Sequence, residues 1–174
     1  MKINNKLLNK FIMQAGDRLS GDWVILGGAV LHLLNLDIRV TTDIDIAGPV
    51  TATTKDTIVL MDIASELGLP VEAINQAASY FLFKIAGWEK SLVLIHEGQS
   101  ARILRPDVNL FLQLKISRLS ESDLMDCLAI LEAAAELDES LDKQKIYRLI
   151  MQQSKTEKNT NRLQRLGKLK LSLG

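Results

Sequence analysis

Apolar residues recur along this chain with two different periods, and the switches between them mark its elements. Leu7, Leu8, Phe11 and Ile12 fall at helical spacing and predict a first helix over residues 4 to 18, ended by the segment Gly16 to Asp22. Trp23-Val24-Ile25-Leu26 is a short continuous apolar run that stops at Gly27-Gly28, the pattern of a buried strand. Helical spacing resumes from Ala29 to Asn35. Thr42 to Ala47 alternates acid and isoleucine, which puts Asp43 and Asp45 on one face of a strand and Ile44 and Ile46 on the other, before Gly48-Pro49 closes it.

Farther on, Asp56 to Leu67 reads as an amphipathic helix stopped by Gly68 and Pro70. Val71 to Phe83 reads as helix leading into irregular chain. Ser91 to His96 and Arg102 to Leu104 read as two strands joined by a turn at Glu97 to Ser100. After Pro106 the pattern is helical only. Asp107 caps a helix carrying Leu110, Phe111, Leu114 and Ile116; a second runs from Ser120 through Leu124, Leu128, Leu131 and Ala135; a third occupies Lys143 to Gln153. The expected fold class is therefore α/β (α+β), a small mixed sheet flanked by helices and followed by a helical module. The division expected is 1–105 for the sheet-bearing core, 106–153 for the helical module and 154–174 for a basic helical or flexible tail.

Composition narrows the functional classes. The 174 residues are 47% hydrophobic and 24% charged, which suits a globular domain with a genuine core and excludes a disordered chain. The longest apolar stretch, Trp23 to Leu36, is broken by the glycine pair, His32 and Asn35 and falls short of the ~20 residues of a membrane span. No membrane partner is expected. The N-terminal MKINNKLLNK lacks the apolar core and cleavage site of a secretion signal, so a cytoplasmic location is the expectation. Cys127, the single cysteine, sits among apolar neighbours and reads as a buried inert thiol. Net charge is zero but uneven: Lys155 to Gly174 holds six bases against Glu157 alone, leaving the rest at −5. Such a tail attracts phosphate-rich partners, presents a solvated helix face or folds back on the acidic body.

One segment carries candidate chemistry. Two acids one residue apart on a strand aim at the same point, as the hard oxygen ligands of a divalent cation must. A glycine pair opening a helix lets backbone N–H groups approach phosphate closely. Behind the strand, Gly27-Gly28, helix and Asp43-Ile44-Asp45 follow one another within nineteen residues. Each part alone is common, since Gly-Gly is often only a turn and Asp-x-Asp often decorates an exposed strand; the combination is specific.

That string, LGGAVLHLLNLDIRVTTDIDI, resembles the signature of the nucleotidyltransferase superfamily. Within it, the string looks like the toxin-type branch that includes AbiEii-like proteins, where Arg-x-Thr-x-Asp-Ile-Asp is typical; Arg39, Thr41, Asp43 and Asp45 match. A further likeness reaches Pro70-Val-Glu-Ala-Ile-Asn75, and Lys115-Ile-Ser-Arg118 followed by Asp123-Leu-Met-Asp126 resembles the lysine, arginine and Asp-x-x-Asp of the helical module. The resemblance implies a nucleotidyltransferase fold and transfer of a nucleoside monophosphate from an NTP, with Mg2+ or Mn2+ as cofactor. Asp43 and Asp45 would be catalytic metal ligands, and Gly27, Gly28, Arg39 and Thr41 would hold the nucleotide phosphates. Lys115 would be a catalytic phosphate contact, with Asp123 and Asp126 supporting it. Partners implied are the nucleotide, an RNA or protein acceptor and, for a toxin, an antitoxin. Spacing alone leaves Lys115 a solvated helix residue and makes Asp123 and Asp126 a cap and a surface acid.

Two departures keep a second class open. Many active transferases have serine after the glycine pair, where this chain has Ala29, and many supply a third carboxylate from a later central strand. The candidate strand Ser91 to His96 has no internal acid, so Glu97 at its end is the nearest option. The alternative is thus an inactive transferase fold that binds a nucleotide, RNA or protein. His32 reads as a structural histidine, His96 as a weak site candidate, and Trp23 and Trp88 as packing aromatics.

Overall fold

A computed structural model describes residues 2–36 and 38–174. The chain folds as two compact units, one up to Pro106 and the other Asp107–Gly174. The first unit is built on a five-stranded mixed sheet, and the described residues include eight α-helices across the two units. The expected α/β class is what the chain adopts.

The chain opens with α1 (Asn5–Arg18), whose first turn is capped by the Asn4 side chain accepting from the Leu7 N–H at 2.9 Å. Leu8, Phe11, Ile12 and Ala15 give it one buried face. Next come β1 (Gly21–Leu26), the short α2 (Ala29–Leu33) and β2 (Ile44–Ala47), which pairs antiparallel with β1 so that Leu26 lies opposite Asp45. Helix α3 (Thr54–Glu66) begins at Thr53, whose N–H donates to the Asp56 carboxylate at 2.7 Å.

The segment Val71 to Phe83 differs from the expected helix. It is a 3-10 turn at Val71–Ala73, then the two-residue β3 (Ile74–Asn75), then α4 (Ser79–Leu82). β3 exists because it pairs parallel with β2, Ile74 opposite Ile44 and Asn75 opposite Asp45. A two-residue strand has no period to detect, and its partner lies about thirty residues earlier.

A 3-10 turn at Trp88–Ser91 leads to β4 (Leu92–Glu97) and β5 (Ala101–Pro106), an antiparallel pair, and β5 runs parallel to β1. The sheet order is β3-β2-β1-β5-β4, which makes β1 central. One face, with Trp23, Ile25, Ile44, Ile46 and Ile103, forms a single core with α1 and α3 residues Leu8, Phe11, Leu60 and Ile63, all fully buried. The strand alternation therefore sends Asp45 and Asn75 to the opposite face.

The tip of the β4–β5 hairpin lies against α1. A Cβ added to Gly98 would stand 2.2 Å from the carbonyl carbon of Gly16. The Ser100 N–H donates to the Gly16 carbonyl at 3.1 Å, and the Gln99 N–H to Asp17 at 3.2 Å. Only glycine permits that approach of two backbones.

The second unit contains α5 (Val108–Arg118), α6 (Glu121–Ala133), α7 (Lys143–Thr156) and α8 (Thr160–Ser172). Helix α5 packs on α6 and α7, and α8 packs on both α6 and α7. Leu124, Ile130, Ile146, Ile150, Leu166 and Leu169 are buried. Two arginines of the basic C-terminal stretch have structural partners. Arg162 donates to the carbonyls of Ile116, Ser117 and Arg118, and Arg165 to that of Leu119 at 2.6 Å. These are C-terminal carbonyls of α5 that its own helix leaves without donors. Among the described residues no helix is long and apolar enough to cross a membrane.

Candidate functional site

The Gly27-Gly28 turn leaves the C-terminal end of β1, where Gly27 takes a left-handed φ of +62°. A Cβ at Gly27 would lie 1.8 Å from Oδ2 of Asp45, so the carboxylate occupies the space that any side chain there would need. A Cβ at Gly28 would lie 2.6 Å from a guanidinium nitrogen of Arg39 and 2.9 Å from the Thr41 hydroxyl. Five residues singled out from sequence, Gly27, Gly28, Arg39, Thr41 and Asp45, therefore meet at one point. Within this cluster lie a carboxylate, a guanidinium and a hydroxyl. The Thr41 hydroxyl is buried and makes no hydrogen bond, although the Thr41 carbonyl accepts from the Ile3 N–H at 2.8 Å.

Asp45 is half-buried between the buried Ile44 and Ile46. Its Oδ1 accepts from the side-chain amide of Asn75 at 2.7 Å, and the Asn75 carbonyl oxygen accepts from the Ala77 N–H at 3.0 Å. The second bond fixes which end of the amide faces Asp45, so Asn75 holds the carboxylate in one orientation. No role was expected for Asn75 beyond its place in the Pro70 to Asn75 likeness. Its function depends on the β2–β3 register, which the sequence does not display.

Asp43 lies one residue ahead of β2, is exposed, and accepts from the Thr42 hydroxyl at 2.5 Å. Magnesium is commonly held by one or two carboxylates, with phosphate and water oxygens completing its shell. The acid pair Asp43 and Asp45 fits that chemistry. Among the described residues no cluster of three or more His, Cys, Asp or Glu forms a metal site.

Helix α2 is shorter than expected and ends by Leu33. Asn35, at φ +58°, stops it. The Asn35 N–H donates to His32 and the Leu36 N–H to Leu31, a Schellman ending. With so few peptide units in line, its dipole adds little at the glycine turn. Ala29 is fully buried.

The sheet order corrects the position expected for Glu97. β4 is the edge strand on the far side of β5, and Glu97 is level with Arg102, which in turn is level with Asp22 at the start of β1. Gly27 follows the other end of β1. The strand beside β1 is β5, whose polar residues are Arg102 and Arg105. His96 is likewise remote from the motif, with its ring against Gly16 of α1. His32 is buried, as a structural histidine would be, and Trp23 is a core residue while Trp88 packs on Phe83 with ring centroids 5.5 Å apart.

In the second unit, Lys115 is buried and its ammonium lies 3.1 Å from Asp123 and 2.7 Å from Asp126, both fully buried carboxylates. It is neither a solvated helix residue nor is Asp126 a surface acid. Asp123 also accepts from Arg118 and, at the start of α6, from the N–H and hydroxyl of Ser120 in a capping box. Burial works to raise the Asp123 pKa, but Arg118, Lys115 and Ser120 together outweigh it and hold the carboxyl well below its usual range. Cys127 is fully buried, and that burial pushes its thiol far above the usual cysteine range.

No curated protein and no solved structure matches the chain significantly. Residues 2–172 do match a protein family described as nucleotidyltransferase of unknown function (DUF6036). With the match spanning nearly the whole chain, and the glycine turn and acidic strand meeting in space, the chain belongs to that nucleotidyltransferase family.

Proposed function

We propose that the cluster around Gly27 binds an NTP with Mg2+ or Mn2+ and transfers its nucleoside monophosphate to an acceptor. The observation that supports this reading is the seating of Asp45 on Gly27 and of Arg39 and Thr41 on Gly28, with the Thr41 hydroxyl buried and without a hydrogen-bond partner. A buried hydroxyl without a partner is costly, and a phosphate oxygen would supply one.

In this reading an acceptor oxygen attacks the α-phosphorus, the bond to the bridging oxygen of the β-phosphate breaks, and pyrophosphate leaves. Asp43 and Asp45 would hold the cation, which neutralises charge on the phosphate oxygens. Gly27 and Gly28 would let the chain approach the triphosphate closely. Arg39 would neutralise phosphate charge, and Asn75 would keep Asp45 aimed. Within the helical unit, Asp123 and Asp126 would keep Lys115 charged.

The acceptor is an RNA, a protein or a small molecule. The Arg39-x-Thr41-x-Asp43-Ile44-Asp45 string supports a place in the AbiEii-like toxin branch, whose member here would pair with an antitoxin. The experiment is titration of NTPs with Mg2+ by calorimetry, followed by labelled-nucleotide transfer to total RNA and lysate. Transfer that disappears in Asp43→Ala and Asp45→Ala is the expected result. NTP binding without transfer, unchanged by either substitution, would overturn it.

A second reading, a transferase fold that binds without turnover, has its own support. Ala29, where the family resemblance would put a serine, brings no hydroxyl, and β5 contains no acid, its polar residues being Arg102 and Arg105. It predicts NTP binding with no labelled product.

A further inference from the structure

Lys143 to Gly174 contains nine bases, Lys143, Lys145, Arg148, Lys155, Lys158, Arg162, Arg165, Lys168 and Lys170, and one acid, Glu157. Helices α7 and α8 themselves contain no acid. Arg162 and Arg165 cap α5, and Glu157 is bonded to Arg162, so these three are accounted for by the fold. The other seven bases are exposed. A solvated helix face mixes both signs of charge; this one does not.

Some of these cations surround a defined feature. An open cleft of about 370 Å³ lies along α7 and the end of α8, lined by Lys143, Gln144, Tyr147, Arg148, Leu173 and Gly174. Residues 143 and 147, and 144 and 148, are one helical turn apart and share a face of α7. Tyr147 is 41% exposed, and the Lys170 ammonium lies 5.4 Å from its ring centroid. The Lys143 ammonium donates to the Leu173 carbonyl at 3.3 Å, which ties the two helices together at this point. An accessible aromatic ring among cations is what a single strand needs, because phosphates meet the charges while an unpaired base stacks on the ring.

We propose that the α7–α8 cleft around Tyr147 is a binding surface for single-stranded nucleic acid. That this strand is the acceptor of the transfer rests on the proposed function; the binding itself does not. Lys143, Arg148 and Lys170 at the cleft supply affinity through counterion release, and Tyr147 supplies a platform that any base can occupy. An acidic protein could meet the same charges but has no run of unpaired bases to stack on the ring, and poly-glutamate separates the two.

Fluorescence anisotropy with a labelled 12-nucleotide single-stranded RNA, repeated with DNA of the same sequence and with poly-glutamate, tests this on the full chain. Binding should weaken as salt rises, with a log–log slope of about −0.7 per phosphate neutralised. Replacing Lys143, Arg148 and Lys170 by glutamine should reduce that slope by about 2 and weaken binding at least about tenfold at low salt. Tyr147→Ala should weaken binding about tenfold and leave the slope unchanged, a separation that a merely unfolded variant would not give. Asp43→Ala and Asp45→Ala should bind the strand as wild type does. If the triple variant binds RNA with the wild-type slope, or poly-glutamate binds as tightly as RNA, the proposal is overturned. NTP titration of the same variants keeps the two readings apart, since loss of RNA binding with intact NTP binding leaves the transferase proposal standing.

Discussion

Replacing Gly27 by alanine puts a methyl group where the Asp45 carboxylate sits, and two separable costs follow. The first is backbone strain, because φ is +62° and an L-residue in the left-handed region loses about 1–2 kcal/mol. The second is displacement of Asp45, whose Oδ2 would be 1.8 Å from the new carbon and whose bond from Asn75 would have to break. A hydrogen bond to a charged group contributes about 1.5–3 kcal/mol, and the half-buried setting of Asp45 places this one near the lower end. The sum is about 3 kcal/mol, roughly 9 °C in Tm for a chain of this length. Gly68→Ala supplies the control: φ is +67° but nothing lies within 4 Å of its Cβ position, so it carries the strain alone, about 1.5 kcal/mol. Gly28→Ala is the complement. Its φ of −68° is ordinary, and the methyl meets only the tip of Arg39 and the Thr41 hydroxyl, so it should cost under about 1 kcal/mol yet weaken NTP binding. Urea unfolding followed by circular dichroism, together with calorimetric titration of Mg2+ and NTP, reads both quantities. Equal losses of stability in Gly27→Ala and Gly68→Ala, or wild-type nucleotide binding by Gly27→Ala, would refute the reasoning.

Asn75→Ala should leave the fold in place and weaken Mg2+-dependent nucleotide binding about 10–100-fold, the usual effect of removing a group that orients a metal ligand; titration checks it. Lys115→Met leaves Asp123 and Asp126 buried beside one another without the ammonium, so urea unfolding should report a loss of about 3–5 kcal/mol. Because the folded pKa of Asp123 lies below the unfolded value of about 3.9, its contribution is complete above about pH 5 and disappears as pH falls toward the folded pKa. Asp123→Asn should accordingly flatten the acid limb of a stability–pH profile. Gly98→Ala drives a methyl into the Gly16 backbone, which has no side chain to swing away, and should abolish soluble expression or lower Tm by roughly 9 °C, or about 3 kcal/mol.

Elements with a strong period were legible in the sequence because the period is local. The run Trp23 to Leu26, the alternation Ile44-Asp45-Ile46 and the helical spacing in α1, α3 and α5 to α7 each correspond to an observed element. The shortfalls have a common cause in pairing at a distance. β3 owes its existence to β2, and the position of β5 between β1 and β4 could not be read from two short apolar runs. That order is what moves Glu97 to the wrong end of the wrong strand. α2 stops early because Asn35 accepts a left-handed conformation, a choice that its sequence permits without requiring.

The candidate site divides along the same line. Residue types and spacing identified Gly27, Gly28 and Asp45, the family resemblance added Arg39 and Thr41, and the fold gathers all five around one turn. Asn75 escaped assignment because an asparagine acquires meaning only through the carboxylate it faces, thirty residues away. Lys115, Asp123 and Asp126 were visible as a lysine followed by two acids on helices, but their burial was not. Charge pattern alone suggested a solvated lysine and a surface acid, whereas tertiary packing closed all three from water. The consequence is chemical. A lysine held between two carboxylates is a structural cation first, its charge matched by theirs inside the helical unit. Measuring stability and nucleotide transfer on the same Lys115→Met protein therefore decides between its two uses. Stability lost together with transfer is the expected result and assigns the lysine to the fold of the helical unit, whereas transfer lost with stability intact would refute that and assign it to the nucleotide.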